Sequence, residues 1–456
     1  MHSNTPPTVS GHWLWGNLRQ FNADSLRFLE KATQIDDVVA IRFGPLTGYC
    51  INHPDLVRTI LTSPEQFQKP PLVQRALYDI TGRNIFTSNG DYWKYSRKLM
   101  QPAFHARTIA NYVDTIIEYT QQELATWHDG DVISFDDAMT NITMRVIIKT
   151  MFGTELSQET AQLGTLFSSL FQLVYGRMER YGLVPTWLPT QRNQRIKHYT
   201  SQLRQMIENI IAKRRASNEH HEDLLALLLD AQANSGGMLD DDDIIREALT
   251  IFGAGYETTA YAIIFASYAL AQHPELQTDF AYEIASVVGN RPISYDDLAL
   301  LPSSENIIKE ALRLYPTAWG FSRWTTEATT LGHYHLPANR TLLISPWTLG
   351  RDARWWDVPL EFKPSRFDSG DYPRYAYIPF GGGARICIGN QLAMLEARLI
   401  LTMMVQQFCL SLADDTTMRP INAAFTLRPE NGLSLRVTSR QFVPSGAIEK
   451  SQNPLH

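Results

Sequence analysis

From Asp242 to about Gln272 the chain supports one unbroken helix of roughly 30 residues, about 45 Å at 1.5 Å per residue. An element that long crosses the full width of a domain, so the rest of the fold has to be built around it. Asp240 to Asp243 place negative charge at its positive end, and His273-Pro274 stops it. Its middle, Ala254-Gly255-Tyr256-Glu257-Thr258-Thr259, is poor helix material. Gly253 and Gly255 each cost about 1 kcal/mol relative to alanine. Thr258 and Thr259 are β-branched, and Glu257 is a charge amid apolar neighbours. Local propensity fails most often at functional sites. Two readings follow. A groove over the small residues leaves room for a diatomic ligand, with Thr258 hydrogen-bonding it and Glu257 relaying protons; or the glycines only let helices pack closely and Glu257 faces solvent.

The second feature is Phe380-Gly-Gly-Gly-Ala-Arg-Ile-Cys-Ile-Gly389, followed by apolar residues at helical spacing from Asn390 onward. Cys387 therefore lies at or just before a helix start, where free N–H groups and the dipole favour a thiolate. Gly381, Gly382 and Gly383 allow a tight turn, and Gly389 allows close approach by a flat ligand. Arg385 is placed to reach an anionic group at that ligand's edge. Cys50, in a strand-like run, and Cys409, on an apolar helical stretch, read as buried small hydrophobes.

Net charge is −6, which argues against a nucleic-acid partner. Three scattered cysteines make no disulfide framework and point to a reducing, cytoplasmic setting. The N-terminus shows no signal peptide, and no stretch approaches the roughly 18 apolar residues that span a bilayer. No repeat or linker divides the chain, so residues 1–456 read as a single domain. Strands are predicted at Val38–Phe43 and Gly48–Asn52, joined by Gly44-Pro45-Leu46-Thr47, within a β-rich part at about 38–62 and 325–345. Leu336-Pro337-Ala338-Asn339 supplies a turn within Leu331–Ile344, and Asn422–Val437 reads as strand and turn. Helical periodicity covers about 104–127, 135–152, 195–214 and 241–272. The polar run Arg214 to Asp223, with its His-His-Glu, reads as a solvated loop rather than a metal site.

Three smaller motifs complete the set. Glu310-Ala-Leu-Arg313 puts opposite charges on one helix face, and Phe362-Lys-Pro-Ser-Arg-Phe367 adds Arg366. Trp93-Lys-Tyr-Ser-Arg97 sets an indole N–H and a guanidinium one turn apart. Arg323 follows Pro316-Thr-Ala-Trp-Gly-Phe-Ser.

In this order the motifs resemble the cytochrome P450 family, the haem-thiolate monooxygenases, from about Phe43 to Pro429. The resemblance implies a mainly α fold with a small β-rich region and a long central helix over the haem. It implies haem b with Cys387 as axial iron ligand, Phe380 and Gly389 shaping the loop, and Trp93, Arg97, Arg323 and Arg385 around the propionates. Glu257 takes the family's acid role and Thr258 its alcohol role. Glu310, Arg313 and Arg366 take the structural role of the Glu-Arg-Arg triad that supports the cysteine loop. Phe86, Phe252, Ala254, Trp319, Phe321 and Phe425 come from segments that line the distal cavity, so the expected substrate is hydrophobic and medium to large: a terpenoid, steroid or fatty acid. The implied reaction is C–H hydroxylation by O2, one atom entering the substrate and one leaving as water. No reductase module fits in this length, so a separate ferredoxin or flavodoxin is expected to dock near Lys94, Lys98 and Arg107. A cytoplasmic monomer without membrane anchor is expected. A peroxygenase or isomerase, or a non-catalytic haem-thiolate sensor, is the alternative.

Overall fold

The computed structural model describes residues 5–154, 158–178, 187–216, 223–234, 239–413, 420–423 and 426–440. The central helix runs Asp241–Gln272, one residue from its predicted start. Asp240 caps it reciprocally: the Asp243 N–H donates to Asp240 Oδ1 at 2.7 Å, and the Asp240 N–H donates to Asp243 Oδ2 at 3.4 Å. Helices Phe135–Phe152, Pro302–Leu314 and Asn390–Gln407 pack around it and share the largest apolar core. Gly255 serves that packing. A Cβ there would come within 2.7 Å of Ile147 Cδ1, so the glycine faces a neighbouring helix rather than a ligand.

The predicted helix over 104–127 is interrupted. A 3-10 turn, Gln101–Phe104, leads into Ala106–Ala110, and Val113–Leu124 starts a new helix. The Asn111 and Tyr112 N–H groups bond three residues back, to Thr108 and Ile109, which tightens the chain and redirects it. Helices Gln158–Met178 and Gln191–Ala216 pack against each other, the second also against the central helix.

The main sheet has five strands: β1 (Val38–Phe43), β2 (Leu46–Ile51), β3 (Phe67–Gln68), β4 (Phe321–Thr325) and β5 (Thr341–Ile344), in the order β1-β2-β5-β4-β3. Only β2–β5 is parallel. The β1–β2 turn is Gly44-Pro45, shorter than predicted because Leu46 and Thr47 already pair. Two further corrections apply to the β-rich ranges. Residues 54–62 form helix Pro54–Thr62, begun by proline at its first position and capped by His53. The strand at Phe321 precedes the predicted 325, and Thr329–Leu331 pairs with Tyr334–Leu336 in a separate hairpin.

Cys409 lies exposed in strand Phe408–Leu412, not on a helix, since the preceding helix ends at Gln407. The ends of the Arg214–Asp223 run are not solvated. Arg214 and Asp223 form an ion pair at 2.7 Å with about a tenth of each side chain exposed. His220, His221 and Glu222 lie outside the described residues. Among the described residues no helix is long and apolar enough to cross a membrane.

Candidate active site

The cysteine loop is shaped by positive φ at Gly381 (70°) and Gly383 (64°). A Cβ on Gly383 would lie 1.9 Å from the Leu61 carbonyl oxygen, so only glycine fits there. The Cys387 N–H closes the loop onto the Phe380 carbonyl at 2.9 Å. Gly389 is the N-cap of helix Asn390–Gln407, and its N–H donates to the Cys387 sulfur. Cys387 keeps an accessible surface although it lies deep within the protein, as a group in the wall of an interior cavity does. Burial pushes its thiol up, against the Gly389 N–H and the Arg97 guanidinium, so the helix start alone does not make it a thiolate. A metal ion would deprotonate it outright.

Four cations converge beside this loop. Arg97 donates to the Ile386 carbonyl at 2.8 Å. Arg385 lies over the Trp93 ring at 4.2 Å and donates to the Ser88 carbonyl and Asn89 Oδ1 at 3.1 and 2.7 Å, leaving its buried Nε without a partner. Arg323, on β4, is buried beside the Phe321 ring. Lys69, which the sequence patterns did not single out, donates to the Phe86 carbonyl. Burial pushes Arg323 and Arg385 down to about 10, and Lys69 well below the usual lysine range; the neighbouring cations add to the effect on Arg385 and Lys69. Among the described residues no carboxylate forms an ion pair with any of the four, and the nearby Glu65 is bound to Lys94 at 2.9 Å. Clustered buried cations without counter-ions are costly. A flat iron cofactor carrying two carboxylates fits this donor set: a sulfur for the metal and cations for the acidic edge.

Halfway along the central helix, Ala254 and Thr258 are accessible while Phe252, Gly253, Tyr256 and Glu257 are buried. Four residues apart, the two share one face and mark where the helix meets open space. Thr258 Oγ1 donates to the Ala254 carbonyl at 2.8 Å. Glu257 is turned about 100° away and bonds Thr426, with Arg428 close by. Burial raises its carboxyl pKa, and Arg428 and Thr426 only partly offset this. Arg428 also bonds Tyr261. Glu257 thus faces neither solvent nor the open side directly. It is a buried acid linked to Thr426, just before strand Leu427–Pro429.

The Glu-Arg-Arg set is assembled and more deeply buried than a surface pair. Glu310 and Arg313 are fully inaccessible and joined by two bonds of 2.7 and 2.8 Å, and Arg366 Nε reaches Glu310 Oε1 at 2.8 Å. Arg313 also donates to the carbonyls of Gly350, Pro359 and Glu361.

The aromatic cavity candidates separate. Phe86 is 45% exposed, with the Lys69 ammonium 4.4 Å from its ring centroid. Phe321 is half-buried on the side of β4 that carries Arg323. Phe252 is corrected to core: it is inaccessible and packed in tilted contact with Phe167 and Tyr256, ring centroids 4.8 and 5.2 Å away. Two residues from Ala254, it points to the opposite side of the helix. Trp319 is likewise core, packed among Phe21, Phe265 and Trp347. Phe425 lies outside the described residues.

The cytochrome P450 family model matches residues 6–436. The chain is 31% identical over 438 residues to pentalenene oxygenase of Streptomyces avermitilis, covering 95% of this chain and 96% of that one. It is 33% identical over 399 residues to cyclooctat-9-en-7-ol 5-monooxygenase of Streptomyces melanosporofaciens, covering 86% of each. Over 429 residues it is 32% identical to cyclooctatin synthase of the same organism, covering 92% and 91%. A family match running through the central helix, the buried triad and the cysteine loop accounts for all three: the chain belongs to the cytochrome P450 family and is a haem-thiolate monooxygenase.

Proposed function

We propose that this enzyme hydroxylates a cyclic terpenoid, holding haem b through Cys387 and drawing electrons from a ferredoxin or flavodoxin. The observation that carries the site assignment is the accessible Cys387 sulfur deep inside the fold, beside four cations that, among the described residues, have no carboxylate of their own. The terpenoid class rests on the names of the relatives, pentalenene oxygenase and cyclooctat-9-en-7-ol 5-monooxygenase. Bound haem supplies O2 activation, with thiolate donation favouring O–O cleavage. Arg97, Arg323, Arg385 and Lys69 would neutralise its carboxylates, with Arg385 held over the Trp93 ring. Thr258 and Ala254 border the oxygen side. Glu257, a buried acid whose carboxyl pKa is raised by burial, is the proton store from which Thr258 and water are recharged. Lys94, Lys98 and Arg107 are each exposed and form part of the docking face for an acidic electron carrier. We infer a single haem domain acting as a cytoplasmic monomer.

A spectral-shift screen of cyclic terpenes, steroids and fatty acids, followed by turnover with ferredoxin and its reductase, tests this reading. A terpene is expected to shift the Soret band and be hydroxylated. A response confined to fatty acids would overturn the substrate class.

Thr258→Ala is expected to fold and load haem normally, because its hydroxyl caps a helical carbonyl that needs no second partner. Product formed per electron consumed should fall at least about tenfold, a modest part of the ~10²–10⁴ that a positioned proton-transfer group contributes. Unchanged coupling would remove Thr258 from the mechanism. Phe86→Ala should widen the cavity by an aromatic ring, admitting bulkier ligands and shifting product regiochemistry. Identical ligand shifts and products would make Phe86 a surface residue only.

A further inference from the structure

The turn that carries Phe86 is held together as one small body. Asn84 Oδ1 accepts the N–H groups of Phe86 and Thr87, both at 2.9 Å, and Thr87 Oγ1 donates to the Gly82 carbonyl at 2.8 Å. On one side this body is tied to the cationic cluster, through Lys69 at the Phe86 carbonyl and Arg385 at the Ser88 carbonyl. On the other it is tied to the first turns of the central helix. Gly82, with φ 68°, lies so close to Arg246 that a Cβ would come within 2.5 Å of its side chain. Arg83 pairs with Asp243 at 3.2 Å. Glu247 Oε2 accepts the Ile85 N–H at 3.0 Å.

Glu247 stands out among these anchors. It is 3% exposed, and its Oε1 accepts from Tyr92 and Ser96, on the helix Gly90–Met100 that also bears Trp93 and Arg97. Three donors from two elements meet on one carboxylate, while both nearby arginines are paired with Asp243. Burial pushes its pKa up to about 7, against those three donors. Ten residues before Glu257, it has no part in the proposed oxygen chemistry.

We propose that Glu247 is a positioning residue for substrate recognition: by locking the Phe86 turn to the central helix and to helix Gly90–Met100, it sets where the Phe86 ring stands over the substrate. The proposal rests on Phe86 being a cavity wall. Because Asn84 and Thr87 hold the turn together internally, releasing the Glu247 anchor moves the ring with its backbone. The chemistry of the partners predicts which replacement works. In Glu247→Gln the side-chain carbonyl still accepts the Ile85 N–H, and the amide nitrogen donates to the Tyr92 and Ser96 hydroxyls, which accept as readily as they donate. Alanine leaves the Ile85 amide, which cannot reverse its role, without an acceptor.

Ligand titrations of the haem-loaded enzyme test this without turnover, using imidazole, which senses the iron, and 4-phenylimidazole, whose ring also senses the cavity wall. Glu247→Ala is expected to weaken 4-phenylimidazole about tenfold, the ~1.4 kcal/mol scale of one buried hydrogen bond left unmade. Imidazole affinity and the reduced-CO spectrum should stay as in the wild type, and Glu247→Gln should restore 4-phenylimidazole binding. In the Phe86→Ala background the same Glu247→Ala change should cost nothing further, since the two residues act through one contact. If Glu247→Ala does not accumulate, Tyr92→Phe with Ser96→Ala removes two donors and should show the same discrimination between ligands. Additive losses, an equal loss for both ligands, or no rescue by glutamine overturn the proposal. A missing reduced-CO band would instead strike at the haem-thiolate reading, and an inert Phe86→Ala would strike at the cavity wall and remove this proposal with it.

Discussion

Arg313→Ala is expected to leave little or no haem-loaded protein. Arg313 is fully buried, bridges Glu310 with two bonds, and satisfies carbonyls from three points of the segment between residues 350 and 361. Removing it strands the Glu310 carboxylate in the interior, with only Arg366 and the Lys363 N–H among the described residues left to hold it. Breaking a buried pair in this way costs about 3–5 kcal/mol. A domain stable by only about 5–15 kcal/mol cannot absorb that loss without a large fall in folded protein. Arg313→Lys should rescue poorly, because an ammonium cannot reproduce the fork that holds Glu310 and the three carbonyls together. The haem-to-protein ratio and the thermal midpoint of purified variants give the answer. A fully loaded Arg313→Ala with a wild-type midpoint would mean that the network is dispensable.

Cys387→Ala is expected to abolish the red-shifted Soret band of the reduced, CO-bound enzyme, and hydroxylation with it. The polypeptide should still fold. The loop is shaped by Gly381 and Gly383 and closed by the backbone bond from residue 387 to Phe380, none of which involves the sulfur. A Cys387→Ala protein that kept the band would assign the iron to another ligand. Cys50 is a poor alternative, being buried in β2 with its thiol pushed up to about 12. Cys409 stands exposed on a different strand.

Where function was legible in the sequence, it was carried by local order. The cysteine loop declares itself through glycines that a tight turn requires, and Gly383 against Leu61 shows why no other residue serves. The central helix was readable because its cap, its stop and its apolar run are all contiguous. Lys69 and Glu247 were not readable. Each is a single charged residue whose meaning comes from partners distant in the chain, Arg385 and Arg323 for one, Ile85, Tyr92 and Ser96 for the other. Phe252 and Trp319 erred the opposite way. The family resemblance put them on segments that line the cavity, but rotation around the helix for Phe252 and packing among Phe21, Phe265 and Trp347 for Trp319 made them core.

By itself, the amino-acid sequence determined the glycine-rich cysteine loop, the length and position of the central helix, and the residues of the Glu-Arg-Arg network. Backbone conformation and helical period are local properties that a few neighbouring residues settle. Only the tertiary structure decided that Glu310 and Arg313 are buried, that Gly255 serves a helix contact, and that four cations share one site with no counter-ion among the described residues. Burial and electrostatics depend on which surfaces the fold brings together, and Arg313 with the Glu361 carbonyl, or Lys69 with Arg385, become neighbours only when the whole chain has packed.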